Sequence, residues 1–107
     1  MPDSHDPTDV ARLLNAGDMT LVDVRDHDEW AKAHVKDAVH LPLAELGQRA
    51  GELPRDGVLV FICRTGKRSE KAAEQVAEHG ITAGNVTGGM DAWAEAGLPV
   101  EQEDAAA

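Results

Sequence analysis

Hydrophobic residues in this chain fall into short runs of two kinds, separated by polar turns containing glycine, proline and aspartate. Val10, Leu13 and Leu14 share one helical face, behind Asp6 as a capping residue and Pro7, whose fixed φ suits a first helical position. This predicts a short amphipathic helix closing at Gly17. Residues 20–24 (TLVDV) make a compact β-branched run and read as a strand. Asp26 and Glu29 then stand in capping-box spacing ahead of a helix reaching about His34. Residues 39–41 read as extended before Pro42, and residues 43–49 as helical.

The strongest strand signal is residues 58–62 (VLVFI), whose consecutive apolar residues suit a central parallel strand buried on both faces. The end of that strand delivers Cys63. A helix over about residues 68–79 follows, with Ala72, Ala73, Val76 and Ala77 on one face and Gly80 as its stop. Residues 85–87 read as one more short strand, and GGMDAWAEAG as a last helix ended by Gly97 and Pro99. Trp30 and Trp93 are expected to be core or half-buried packing residues. Short strands alternating with helices predict an α/β fold, a three-layer sandwich around a small, mostly parallel sheet. There is no internal repeat. One domain over residues 1–107 is expected, with residues 101–107 as a frayed end.

Composition narrows the function classes. Aromatic residues make up only 3% of the 107, so aliphatic side chains must fill the core. A single cysteine excludes an internal disulfide and the usual paired-cysteine zinc or redox motifs, so any cysteine chemistry has to discharge to another molecule. The formal net charge of −10 argues against nucleic-acid binding. No stretch suits a membrane helix or a secretory leader, which points to a cytoplasmic location. The five histidines show no metal-binding spacing, so no metal is expected. GKRS resembles the end of a phosphate-binding loop, but the first glycine of that motif falls on Phe61.

Against this acidic background Arg64, Lys67 and Arg68 stand out as a cationic cluster directly after Cys63. Ligands of open parallel sheets lie beyond the carboxyl ends of the strands, the position Cys63 occupies. The stretch CRTGKRS turns from strand to helix in a few residues. Gly66 frees the turn to aim successive backbone N–H groups inward, and the following helix adds its positive end. Inward amides, a helix terminus and cations all favour a thiolate, so Cys63 is expected to ionise more readily than an ordinary thiol. A lone cysteine at a strand end is more often an inert core residue, and the three cations are also explicable as solvated charges. They oppose the helix dipole, however, unless an anion sits in the turn.

Three segments of the chain resemble the rhodanese homology domain: LVDVRDHDEWAKAHVKDAVHLPL, CRTGKRS and GGMDAWAEAGLPV. The resemblance implies that Cys63 is a sulfur-accepting nucleophile and that Arg64, Thr65, Gly66, Lys67, Arg68 and Ser69 bind the donor. It also implies a buried polar pair, Asp23 and Arg25, although Arg25 is equally spaced to pair with Glu29 one helical turn on. The implied reaction moves sulfur from thiosulfate or a related small anionic donor, through a Cys63 persulfide, to a thiol, cyanide or protein acceptor. It requires no cofactor, and a monomer is expected. A sulfur-carrier module loaded by a partner protein is the alternative. The related phosphatases and arsenate reductases are a more distant one, because they place seven residues from Cys through Arg where this chain has six. The sequence departs from the family at Lys36-Asp37, where Pro-Gly is usual, and at Met90, where Trp is frequent, a change expected to alter a hydrophobic surface near the site.

Overall fold

The computed structural model describes residues 3–102. Its strands are β1 (Ser4–His5), β2 (Met19–Asp23), β3 (Val39–His40), β4 (Val58–Ile62) and β5 (Gly84–Val86). Its helices are α1 (Pro7–Asn15), α2 (His27–Lys32), α3 (Leu46–Arg49), α4 (Lys67–Ala77) and α5 (Gly89–Glu95). The strands form one five-stranded sheet in the order β1-β5-β4-β2-β3, and every pairing is parallel. The central ladder aligns Met19 with Val58 through Asp23 with Ile62, so β2 and β4 end level with each other.

Side-chain alternation along β4 builds both halves of the core. Leu59, Phe61 and Cys63 pack on the face carrying α3 and α4, against Leu46, Ala72, Ala73 and Val76. Val60 and Ile62 pack on the other face, against Val10 of α1 and Met90 and Trp93 of α5. The parity that buries Phe61 therefore turns the sulfur of Cys63 toward the start of α4. Val58 departs from the expected burial and is 43% exposed where the strand leaves its turn. Leu59, Val60, Phe61 and Ile62 are buried as predicted.

The helix ends follow local chemistry. Asp6 caps α1 by accepting from the Thr8 amide, with Pro7 first in the helix. The Asp26–Glu29 capping box forms at the start of α2. That helix stops at Lys32, short of the expected His34, because Ala33 is extended and gives its carbonyl to Arg25. The predicted helix over 43–49 divides into a 3₁₀ turn at Leu43–Glu45 followed by α3. On α4 the inward face is Ser69, Ala72, Ala73 and Val76, and Ala77 lies outside it, exposed.

Two further expectations need correction, and one strand has no counterpart among the expected elements. β1 has no hydrophobic signature and was unforeseen; backbone bonds from Asn85 to Asp3 (2.8 Å) and from Thr87 to His5 (2.9 Å) hold it at the sheet edge. The tail is not frayed from residue 101, since Glu101 and His34 form an antiparallel bridge with bonds of 2.8 and 2.7 Å. Residues 103–107 of that expectation lie outside the described residues. Met90 does not contribute to a surface; it is 8% exposed and packs among Val10, Ile62 and Trp93. Trp93 is fully buried and Trp30 half-buried, as expected. Among the described residues, no helix is long and apolar enough to cross a membrane.

Candidate active site

The site is assembled where β2 and β4 end. Asp23, the last residue of β2, is buried and accepts from the Arg25 amide (2.9 Å), from Nε (3.0 and 3.1 Å) and from Nη2 (2.8 Å). Nη2 of Arg25 also donates to the Ala33 carbonyl at 2.6 Å. The pair thereby ties the end of β2 to the far end of α2 and fixes the helix that carries Glu29. Of the two pairings open to Arg25 from its spacing, the structure has the one with Asp23; Glu29 is occupied elsewhere.

Cys63 is 1% exposed. Its Sγ accepts from the backbone N–H of Gly66 at 3.1 Å and of Ser69 at 3.3 Å, and lies 3.5 Å from the Ser69 hydroxyl. Gly66 supplies the turn with φ +114, a left-handed conformation that glycine adopts freely. Burial pushes the Cys63 thiol up, but the Ser69 hydroxyl and the amides of Ser69, Gly66 and Thr65 outweigh it. The net result lies below the ordinary thiol value of 9.0. The direction is the one the turn's amides lead one to expect, and its cause is hydrogen bonding to the sulfur rather than the neighbouring cations.

The cationic side chains are less free than their spacing suggests. Arg68 donates to both Glu29 oxygens, at 2.7 and 2.9 Å, in a two-pronged ion pair. Arg64 is exposed and lies 3.7 Å from Asp91. Thr65 and Lys67 are exposed at the rim, and among the described residues no carboxylate is within ion-pair distance of Lys67. Ser69 faces inward and is completely buried, so its hydroxyl touches the sulfur rather than solvent.

The floor of the site is a second contact invisible to spacing arguments. The N–H groups of Met90 and Asp91 donate to the carbonyls of Cys63 (2.8 Å) and Arg64 (3.0 Å), docking the start of α5 on the loop. Gly89 has φ +57, and a Cβ there would stand 2.3 Å from the Cys63 carbonyl oxygen and 2.6 Å from Arg64. Asn85, buried beneath the loop on β5, makes a very short hydrogen bond with Ser69. Sequence reasoning gave neither Asn85 nor the Glu29–Arg68 pair a role. Paired glycines before a helix were the one available signal for the α5 contact.

In this parallel α/β sheet the central strand ends in a cysteine whose sulfur accepts two backbone N–H bonds. Residues 6–96 match the family model of the rhodanese-like domain, and the chain belongs to that family. It is 38% identical over 90 residues to a sulfurtransferase of Allochromatium vinosum, covering 83% of this chain and 84% of that one. It is 32% identical over 96 residues to thiosulfate sulfurtransferase GlpE of Actinobacillus pleuropneumoniae, covering 89% of each. Some relatives are longer: the chain spans only 41% of a putative sulfur carrier protein of Bacillus subtilis, matched at 40% identity over 76 residues and 70% of this chain. Among solved structures, a rhodanese-related protein from Thermoplasma volcanium superposes with a TM-score of 0.87 at 30% identity, covering 94% of this chain and 99% of that one.

Proposed function

We propose that the chain is a sulfurtransferase in which Cys63 carries the transferred sulfur as a persulfide. The observation that carries this reading is the sulfur cradle: a lone cysteine accepting two backbone N–H bonds at the carboxyl end of the central strand. Kinship with sulfurtransferases at 32 and 38% identity agrees with it. In the first half-reaction the Cys63 thiolate attacks the outer sulfur of thiosulfate. A new sulfur–sulfur bond forms, the old one breaks, and its electron pair leaves with sulfite. In the second, an acceptor thiolate or cyanide attacks the outer sulfur of the persulfide and the Cys63 thiolate is restored. With no second cysteine, no internal thiol can resolve the persulfide.

The amides of the loop hold the negative charge through both halves, and Lys67 and Arg64 at the rim attract the anionic donor. The committed state of Arg68 favours a second reading, in which sulfur arrives from a partner protein and thiosulfate is a poor donor. Intact-protein mass spectrometry after incubation with thiosulfate tests the persulfide. The expected result is the mass of one added sulfur, mapped to Cys63 and absent in Cys63→Ser. No added sulfur on a folded protein with any donor overturns the proposal. Stoichiometric loading with negligible steady-state thiocyanate production selects the carrier reading.

A further inference from the structure

Beneath the sulfur lies a polar chain to which the steps above give no task. Ser69 is completely buried and Asn85 is 6% exposed. The Ser69 hydroxyl has the Cys63 sulfur at 3.5 Å, the Gly66 carbonyl at 3.0 Å and the Asn85 amide oxygen closer still. A hydroxyl has a single proton to give. With Cys63 protonated, its Sγ–H can donate to Ser69 Oγ while Ser69 donates to Asn85 Oδ1, an arrangement suited to the neutral thiol.

Ionisation breaks that arrangement. A thiolate, a carbonyl and Oδ1 are all acceptors, so three of them then compete for one buried proton. The terminal torsion of asparagine is soft and roughly two-fold. Turning it replaces Oδ1 by Nδ2, a donor, which gives Ser69 an incoming bond and leaves its proton for the sulfur.

We propose that Asn85 is a positioning residue of the sulfur site, whose amide turns its N–H end to Ser69 when Cys63 loses its proton to solvent and so directs the Ser69 hydroxyl at the thiolate. The proposal rests on Cys63 being the reactive sulfur, but not on which donor loads it. The surrounding charges give it no competitor of the same geometry. Arg68 is held by Glu29, Arg64 is exposed 3.7 Å from Asp91, Lys67 is exposed, Asp23 and Arg25 bond each other, and Asp26 caps α2. None of these contacts the Ser69 hydroxyl.

The chain holds one cysteine and no tyrosine, so ultraviolet absorbance of the thiolate against pH reports Cys63 alone. Ser69→Ala and the nearly isosteric Asn85→Leu should each move the midpoint upward. On the acid limb the thiolate fraction should fall about tenfold, the scale of one hydrogen bond to a charged group. Because Asn85 acts through Ser69, the double variant should move no further than Ser69→Ala alone. An unmoved midpoint in Asn85→Leu, or a full second shift in the double variant, overturns the proposal. If those variants do not fold, the wild-type protein still decides: the Asn85 side-chain amide signals in nuclear magnetic resonance should titrate together with the thiol, and flat signals overturn it. No sulfur donor is used, so failure to form a persulfide and failure of this relay are separate results.

Discussion

The carboxylate of Glu29 grips two terminal nitrogens of Arg68, at 2.7 and 2.9 Å, across a separation of 39 residues. The contact joins the first turn of α2 to the first turn of α4, so the capping box and the sulfur loop share one side chain. The bonds from Arg68, ahead of smaller help from Asp26, hold Glu29 down to about 2 from its ordinary 4.5. A depressed carboxylate adds stability that is present in full above 4.5 and is lost as pH falls through about 2. Both side chains are partly exposed, 36 and 28%, which limits the pair to about 1 kcal/mol. Glu29→Gln should therefore be less stable than wild type by about that amount in urea at neutral pH, with the gap closing in acid below about pH 2.5. A gap that persists unchanged in acid contradicts the ion pair. The same variant releases Arg68 toward the mouth of the loop and should lower the KM for thiosulfate.

Arg25 is the only partner of the Asp23 side chain among the contacts described above, and both are buried. Removing one member of such a pair strands the other charge, at a cost of about 3–5 kcal/mol, whereas an apolar pair of similar volume is tolerated. Arg25→Met should lower the urea midpoint severely, and adding Asp23→Leu should recover much of the loss. Equal damage from the single and double replacements shows that Arg25 acts instead through its bond to Ala33.

Gly89 is fixed by contact rather than by conformation alone. A methyl group there meets the Cys63 carbonyl at 2.3 Å, and that carbonyl belongs to the backbone of the loop. Gly89→Ala should cost at least about 2 kcal/mol and slow any sulfur transfer. Gly57→Ala is the control: φ is +80 but nothing lies within 4 Å, so only the left-handed backbone term of about 1 kcal/mol applies. Thermal unfolding of the two variants distinguishes them, and similar losses remove the argument from close approach.

Alkylation of Cys63 should rise with pH through a midpoint below that of an unperturbed thiol, since hydrogen bonds to the sulfur outweigh its burial. Persulfide formation should follow the same profile. A profile centred at or above the ordinary thiol value sinks the claim that the loop ionises the sulfur.

Asp37 occupies a left-handed conformation, φ +70, at one of the two family departures noted in the sequence. Relief of that conformation by glycine is worth about 1–2 kcal/mol, against about 0.5–1 for glycine's own entropy. Asp37→Gly should thus raise stability by about 0.5 kcal/mol, read as a small upward shift in Tm.

What was legible in the sequence had strong local physics behind it. VLVFI, the capping of α1 and α2, and the glycine-bearing turn after Cys63 each carry their own signal, and all formed near the expected positions. The two-residue β1 was not legible, because backbone bonds alone define it. The fates of Arg68 and Asn85 were hidden for another reason. Their partners, Glu29 and Ser69, come from distant segments brought together only by the sheet. Spacing showed that cations follow the cysteine; it could not show that Arg68 is already paired with Glu29.

Both rims of the sheet are two residues long, Ser4–His5 on one side and Val39–His40 on the other, while the five-residue strands sit inside. Each border thus presents only a stub of free main chain to a passing neighbour, too little to seed edge-to-edge zippering into aggregates. Copies can crowd together and touch at their loops without their sheets fusing, so the fold tolerates high local concentration through the shortness of its borders alone.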